Sequence, residues 1–377
     1  MSLFGKFRLL EQIGGGRLSQ VFRVTRADLE GQLGCGPNIA LKRVQPEVIG
    51  EPAFVQLVVR EGGLLARLSH RNLCQCHEMG VVDGCAFLSL DLVQGCTLRA
   101  LMRRTSSMAV RLPASSVTAI GHQLARALSY LHDGCDAPLL HLDLSPQNVM
   151  IDREGTLKLI DFGIARYLDG RDPPPLGGKI AGTVGYMSPE QARGDPLEPR
   201  ADQFGLGILL WEMLAGRRAF RGNTPQTWDR MRGGLIPELD AGLAEAPPAL
   251  AGVVRRLLEP GPARRFPHME AVRHALDAAS NRPLAALVRH LMADPSFDPF
   301  DVVRRQNTPT SALADIPTGE ARAAADYAEL SIEVDHGEGT PGSLVRAAVH
   351  HGASGEPPRS PFLETIPEAQ ATAQIAR

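Results

Sequence analysis

The sequence contains no run of about 18 uncharged apolar residues, so nothing in it reads as a membrane-spanning helix. Its opening, Met1-Ser2-Leu3-Phe4-Gly5-Lys6, lacks the long apolar stretch of a secretory leader. Charge of one sign is not in excess. Lys and Arg number 40 against 42 Asp and Glu, and a formal net charge of −2 makes nucleic acid an unexpected partner. Cysteine is scarce. The six present (Cys35, Cys74, Cys76, Cys85, Cys96 and Cys135) show no C-x-x-C spacing, which argues against a zinc site and for reduced thiols in a cytoplasmic protein. Aromatics are only 5%, and from about residue 301 onward they almost vanish while Ala, Pro, Ser, Thr and Glu abound. Such a tail cannot bury enough apolar surface to fold and is expected to be mostly disordered.

What is present fits one two-lobed domain followed by that tail. The 377 residues exceed one compact unit, and 44% hydrophobic content supports a real core. Phe7 to Ile13, Gln20 to Thr25 and Ile39 to Val44 are short β-rich runs broken by Gly, Asp and Pro. Ala53 to Leu68 carries apolar residues at helical spacing. Gln75 to Val82 and Ala86 to Val93 flank Asp83-Gly84, a hairpin signal. After Gly95 helical periods dominate, over Pro113 to His132, Arg200 to Ala215 and Pro248 to Leu258, with brief strands at Val149 to Ile151 and Leu157 to Ile160. The expected fold class is therefore α+β. A small β-rich lobe spans about residues 4–92, and a larger helical lobe about 93–280. Residues 281–377 form the tail, with one helix expected over Asn281 to Met292. Leu330 to Val334 and Leu344 to Val349 are too isolated to make a domain.

Four clusters carry chemistry. Ile13-Gly14-Gly15-Gly16, continuing to Ser19 and Val21, sits between two strands, where glycines let backbone amides approach phosphates. Ala40 and Lys42 share one face of the next strand, and a lysine on a buried face needs an anion. Glu61 on the following helix is its natural partner. His141-Leu142-Asp143-Leu144-Ser145-Pro146-Gln147-Asn148 is followed by Asp161-Phe162-Gly163 at a strand end.

In this order these motifs resemble the eukaryotic-type protein kinases, here of the bacterial serine/threonine kind, over about residues 4–280. The resemblance implies a two-lobed enzyme that uses ATP and Mg²⁺ to phosphorylate protein hydroxyls, probing a protein substrate in cytoplasmic signalling. Asp143 would orient the attacking hydroxyl, Lys42 would hold the α- and β-phosphates, and Asn148 and Asp161 would supply hard oxygen ligands to the metal. Val21 and Ala40 above and Met150 below would enclose adenine, with Leu90 at the back and the backbone of Asp91 and Val93 facing its edge. Gly182 to Glu190 resembles the acceptor-binding end of the activation segment, Asp202 would brace the catalytic loop, and Arg265 would pair with Glu190. Thr183 favours Ser/Thr acceptors.

Three positions depart from the family pattern. Leu142 and Ser145 replace the usual arginine and lysine, and Ser19 replaces the third glycine. A pseudokinase scaffold that binds ATP without turnover is the alternative reading. The missing arginine normally gathers a phosphorylated loop, and residues 164–182 contain no Ser or Thr and only Tyr167. The two absences agree in implying that no phosphate is needed there; an activating phosphate on Tyr167 would overturn this. Gln147 stands where an acidic residue often binds arginine-rich peptides, so a preference for basic acceptors is not expected. Oligomeric state has no sequence signal.

Overall fold

A computed structural model describes residues 2–15, 19–29, 39–45, 52–169, 181–222, 224–276, 282–300, 330–335 and 344–349. Gly16 and Cys35 lie outside these residues. In chain order, β1 (Leu3–Phe4), β2 (Phe7–Gly15), β3 (Ser19–Arg26) and β4 (Ile39–Val44) precede α1 (Pro52–Leu65); β5 (Cys76–Val82) and β6 (Cys85–Asp91) follow it. The strands pair antiparallel in the order β1-β2-β3-β4-β6-β5. Alternation explains the sheet, because Phe7, Leu9 and Val24 fall on one buried face and pack with Leu41 and Phe87. The β5–β6 turn is the expected Asp83-Gly84, both left-handed at φ 49° and 74°. Helix α1 lies close against this sheet because Gly62 has no side chain; a Cβ there would come within 2.6 Å of Leu88 and 2.8 Å of the Met79 sulfur. That approach brings the neighbouring Glu61 to the strand carrying Lys42.

The larger lobe begins with β7 (Gly95–Thr97), α2 (Leu98–Ser107) and α3 (Ala114–Ser129), then β8 (Leu139–Leu140), β9 (Val149–Asp152), β10 (Leu157–Leu159) and β11 (Arg166–Tyr167). Helices α4 (Pro189–Arg193), α5 (Arg200–Ala215), α6 (Pro225–Gly233), α7 (Leu239–Leu243), α8 (Pro248–Leu257), α9 (Met269–Ala275) and α10 (Arg282–Met292) follow. The expected helix ending at His132 is α-helical only to Ser129, then widens into a π turn over Tyr130–Gly134 that carries His132 inward. Helix α5 is buried along nearly its whole length, which makes it the axis of this lobe. Its Trp211 Nε1 donates to the Leu239 carbonyl at 3.0 Å. Helix α10, read from the sequence as part of the tail, lies on the lobe with Leu284, Val288 and Leu291 buried, and the Pro299 carbonyl beyond it accepts from the Thr97 amide at 2.8 Å.

Two tail segments depart from the expectation of disorder. β12 (Leu330–Asp335) and β13 (Leu344–Val349) form an antiparallel pair, and β12 adds to the edge of β5 with Ile332 opposite Met79. Pairing with an edge about 250 residues away depends on an unpaired backbone row rather than on local composition, so local reading misses it.

The lobes are tied behind the cleft between them. Asn72 donates to the Leu157 carbonyl at 2.8 Å and to Gln123 at 3.1 Å, both buried, and the Cys74 amide bonds the Leu159 carbonyl at 3.0 Å. Lys158 on β10 reaches Asp91 at the end of β6, at 2.8 Å.

Candidate active site

The cleft between the lobes collects the charged motif residues. Lys42 Nζ donates to both Glu61 oxygens at 2.8 and 2.7 Å and to Asp161 Oδ1 at 3.3 Å. Burial alone would make the Lys42 ammonium easier to deprotonate, but the charges of Asp161 and Glu61 outweigh it and hold its pKa well above the ordinary value. The Lys42 charge in turn lowers the Asp161 carboxyl, against the effect of burial. Asp161 takes φ 66°, a left-handed conformation that turns its side chain toward the cleft, where it is 44% exposed. The adjoining Phe162 amide donates to Glu61 at 3.3 Å, which links α1 to this turn.

Asp143 accepts on both oxygens. Oδ1 takes the Thr183 amide and hydroxyl, each at 2.7 Å, and Oδ2 takes Asn148 Nδ2 at 2.8 Å. Desolvation raises the Asp143 pKa, and the Thr183 hydrogen bonds only partly offset it. Asp202, at the start of α5, holds the backbone beneath it: its carboxylate accepts from the His141 amide at 2.9 Å, the Leu142 amide at 2.8 Å and the His132 ring at 2.8 Å. Burial would raise the Asp202 pKa, but these partners lower it overall. Leu142, also left-handed at φ 64°, packs with Leu140, Ala201, Ile164 and Leu197. An apolar cluster thus occupies the position of the arginine missing from the motif.

The strand pairings place the other expected residues that the structure describes. Gly14 and Gly15 end β2 opposite Val21 and Gln20, and Ser19 begins β3. Ala40 pairs with Leu90, and Ile39 with Asp91. Met150 pairs with Lys158 on one side and Thr97 on the other. Val93 accepts from the Gly95 amide, and its own amide makes no hydrogen bond among the described residues. Glu190 stands apart: assigned from the sequence to the acceptor platform, it is buried and held by Arg265 at 2.6 and 3.0 Å, so it anchors α4 instead of facing the cleft. Ser188 caps α4 by accepting from the Gln191 amide at 3.2 Å, with Pro189 in the first turn.

The donor set suits a hard divalent cation. Asn148 uses its amide nitrogen on Asp143, which leaves Oδ1 without a hydrogen bond among the described residues, and Asp161 Oδ2 is likewise unengaged. Two such oxygens beside a half-buried lysine suit a metal shared with a polyphosphate.

Asp91 is a residue the motif reading assigned only through its backbone. Its carboxylate accepts from Lys158, from His77 at 2.9 Å and from the Gln75 amide at 3.2 Å. Burial pushes the carboxyl up, but the hydrogen bonds from His77 and Lys158 and the Lys158 charge outweigh it and bring the pKa down to about 2. Because this folded pKa lies below the unfolded value, its stabilisation is complete above about pH 4 and is lost as the pH falls toward 2. Asp91→Asn is therefore expected to destabilise the protein by about 2 kcal/mol near neutrality. The gap from the parent chain should close as acid is added. Urea denaturation at stepped pH reads this, and a gap independent of pH would refute the pairing as its source.

A family model described as protein kinase domain matches residues 7–276. Among curated relatives, Tyrosine-protein kinase MasK of Myxococcus xanthus (strain DK1622) is 28% identical over 357 residues, covering 91% of this chain and 54% of the relative. Serine/threonine-protein kinase PknA of Mycobacterium tuberculosis is 30% identical over 296 residues, covering 75% of this chain and 64% of the relative. Serine/threonine-protein kinase PknH of the same species is 30% identical over 312 residues, covering 82% and 46%. The chain thus spans about half to two thirds of the length of these relatives. Among the described residues, no helix is long and apolar enough to cross a membrane.

Proposed function

The chain belongs to the protein kinase domain family, and on that premise we propose that it transfers the γ-phosphate of ATP to serine or threonine hydroxyls of protein substrates. The observation that carries this reading is the engagement of Asp143. A half-buried carboxylate against the acceptor segment is held on one oxygen by Thr183 and on the other by Asn148. It is thereby fixed toward a hydroxyl delivered by that segment.

The chemistry follows from the charges. Phosphoryl transfer concentrates negative charge on the moving group and needs little covalent help from the protein, so positioning and neutralisation dominate. Lys42, kept protonated and aimed by Glu61, would contact the α- and β-phosphates. Asn148 and Asp161 would hold Mg²⁺, which when bound neutralises charge on the phosphates. Asp143 would accept the hydrogen bond of the attacking hydroxyl, align it, and take its proton as the new P–O bond forms; its raised pKa suits that role. Val21, Ala40 and Met150 would sandwich adenine, with Leu90 behind and the Asp91 carbonyl and Val93 amide along its edge. Gly14, Gly15 and Gly16 would close over the phosphates. Glu61, Lys42 and Asp161 forming one connected chain supports turnover over the pseudokinase alternative.

Ser/Thr choice is the finer part of the proposal. The Thr183 hydroxyl on Asp143 narrows the approach to the carboxylate, which suits a short acceptor side chain. Two of the relatives above bear serine/threonine names and one a tyrosine name, so the chemistry of the product must decide. Labelled product, hydrolysed and resolved into phosphoamino acids, is expected to contain phosphoserine and phosphothreonine. Phosphotyrosine as the main product would reverse the assignment.

A further inference from the structure

A charge arrangement that none of the motifs requires packs against Tyr186 of the acceptor segment. Glu212 on α5 is completely buried, and all its hydrogen bonds are internal. Oε1 accepts from Arg218 Nε at 3.1 Å and from the Ala219 amide at 2.8 Å, and Oε2 accepts from the Tyr186 hydroxyl at 2.7 Å. The carboxylate is therefore closed to any incoming cation. Arg218 differs. Its side chain is 42% exposed, only Nε is engaged, and both terminal nitrogens are without hydrogen bonds among the described residues. The guanidinium lies over the Tyr186 ring, 4.8 Å from its centroid. The pair is thus oriented with its negative end inside and its positive end outward, against Tyr186 of the segment that holds Thr183 against Asp143.

Gly185 keeps that positive end uncovered. It takes φ 97°, and a Cβ there would sit 3.2 Å from Arg218 Nη2. Any side chain at this position would be strained and would lie across the guanidinium. The Arg99 charge, at the start of α2, also acts on Tyr186. Opposite in sign to all this would be an acidic residue at position 147, where the chain has Gln147.

We infer that Arg218 is a specificity-determining residue of the acceptor platform, and that the favoured acceptor carries an aspartate or glutamate close to its hydroxyl residue. This rests on the phosphoryl-transfer reading and names the substrate class for it. A planar guanidinium whose terminal Nη1–Nη2 edge is free matches a carboxylate bidentately, and its stack on Tyr186 pre-orients it. Since the contact stays solvent-accessible, its effect is modest, about fivefold at most.

The test uses the full chain and a set of serine peptides in which one aspartate, asparagine or lysine is walked through the positions flanking the acceptor. At one or more positions the aspartate peptide is expected to show a KM about fivefold below its asparagine counterpart, with the lysine peptide worse than both. In Arg218→Gln the ratio of the two KM values should collapse toward one, and Arg218→Lys should restore part of it. A purely packing role for Arg218 would move both KM values together and leave their ratio alone. Equal use of all peptides by the unaltered chain would overturn the inference while leaving phosphoryl transfer intact. No label on any peptide would sink the transfer reading and this inference together.

Discussion

Asp143→Asn is expected to lower kcat for phosphoryl transfer by about 10²–10⁴-fold, the range for loss of a positioned general base, while nucleotide binding persists. The reason lies in the donor count around the carboxylate. Three donors converge on it: the Thr183 amide, the Thr183 hydroxyl and Asn148 Nδ2. An asparagine offers one acceptor oxygen and an NH₂ group, so one side of this half-buried site would set donor against donor. The proton acceptor is removed, and the orientation of the loop is disturbed as well. Single-turnover transfer at saturating ATP, compared with nucleotide-dependent thermal stabilisation of the same variant, separates the two effects. A variant that keeps more than about a tenth of the parent rate would remove Asp143 from the general-base role.

The largest loss of stability is expected from Arg265→Met. Arg265 is fully buried and ties five acceptors together: the two Glu190 oxygens and the carbonyls of Glu259, Arg200 and Pro260. Its guanidinium also lies 4.9 Å from the Phe204 ring centroid. Removing it leaves the Glu190 carboxylate buried without a counter-charge, and breaking such a pair costs about 3–5 kcal/mol. The partner change Glu190→Gln in the same chain removes the stranded charge and should recover part of the loss. Denaturant midpoints for the two single variants and the double variant form the cycle. A loss below about 1 kcal/mol for Arg265→Met would mean that the pair contributes little to anchoring α4.

Sequence reading reached those parts of the site that lie within single motifs. Asp143, Asn148 and Asp161 fall in one stretch of 19 residues, and Lys42 and Glu61 are separated by a span that a strand and a helix readily bridge. The Asp202 brace and the Arg265–Glu190 pair were expected through family resemblance, and the structure contains both contacts. The platform role expected of Glu190 rests on a motif letter, which does not tell whether a carboxylate faces substrate or core, and in the structure the carboxylate is buried on Arg265. Arrangements that join distant segments by side-chain orientation were not legible. Lys158 meets Asp91 across 67 residues, and the outward set of Arg218 depends on Glu212 being sealed beneath it. The Leu142 cluster was visible only as a missing arginine, since Ile164, Leu197 and Ala201 become neighbours of Leu142 only after folding. The β12–β5 pairing failed for a similar reason, as sheet edges recruit strands through backbone groups that every residue carries.

The central claim is that this cleft moves a phosphoryl group and does not merely hold a nucleotide. The most direct test is incubation of the full chain with γ-labelled ATP and Mg²⁺ in the presence of a generic acceptor protein, with a chelated control. The account predicts covalent label in protein that requires the metal and is lost in Asp143→Asn. Thermal stabilisation by ATP without any transfer of label would contradict it and make the chain an ATP-binding scaffold.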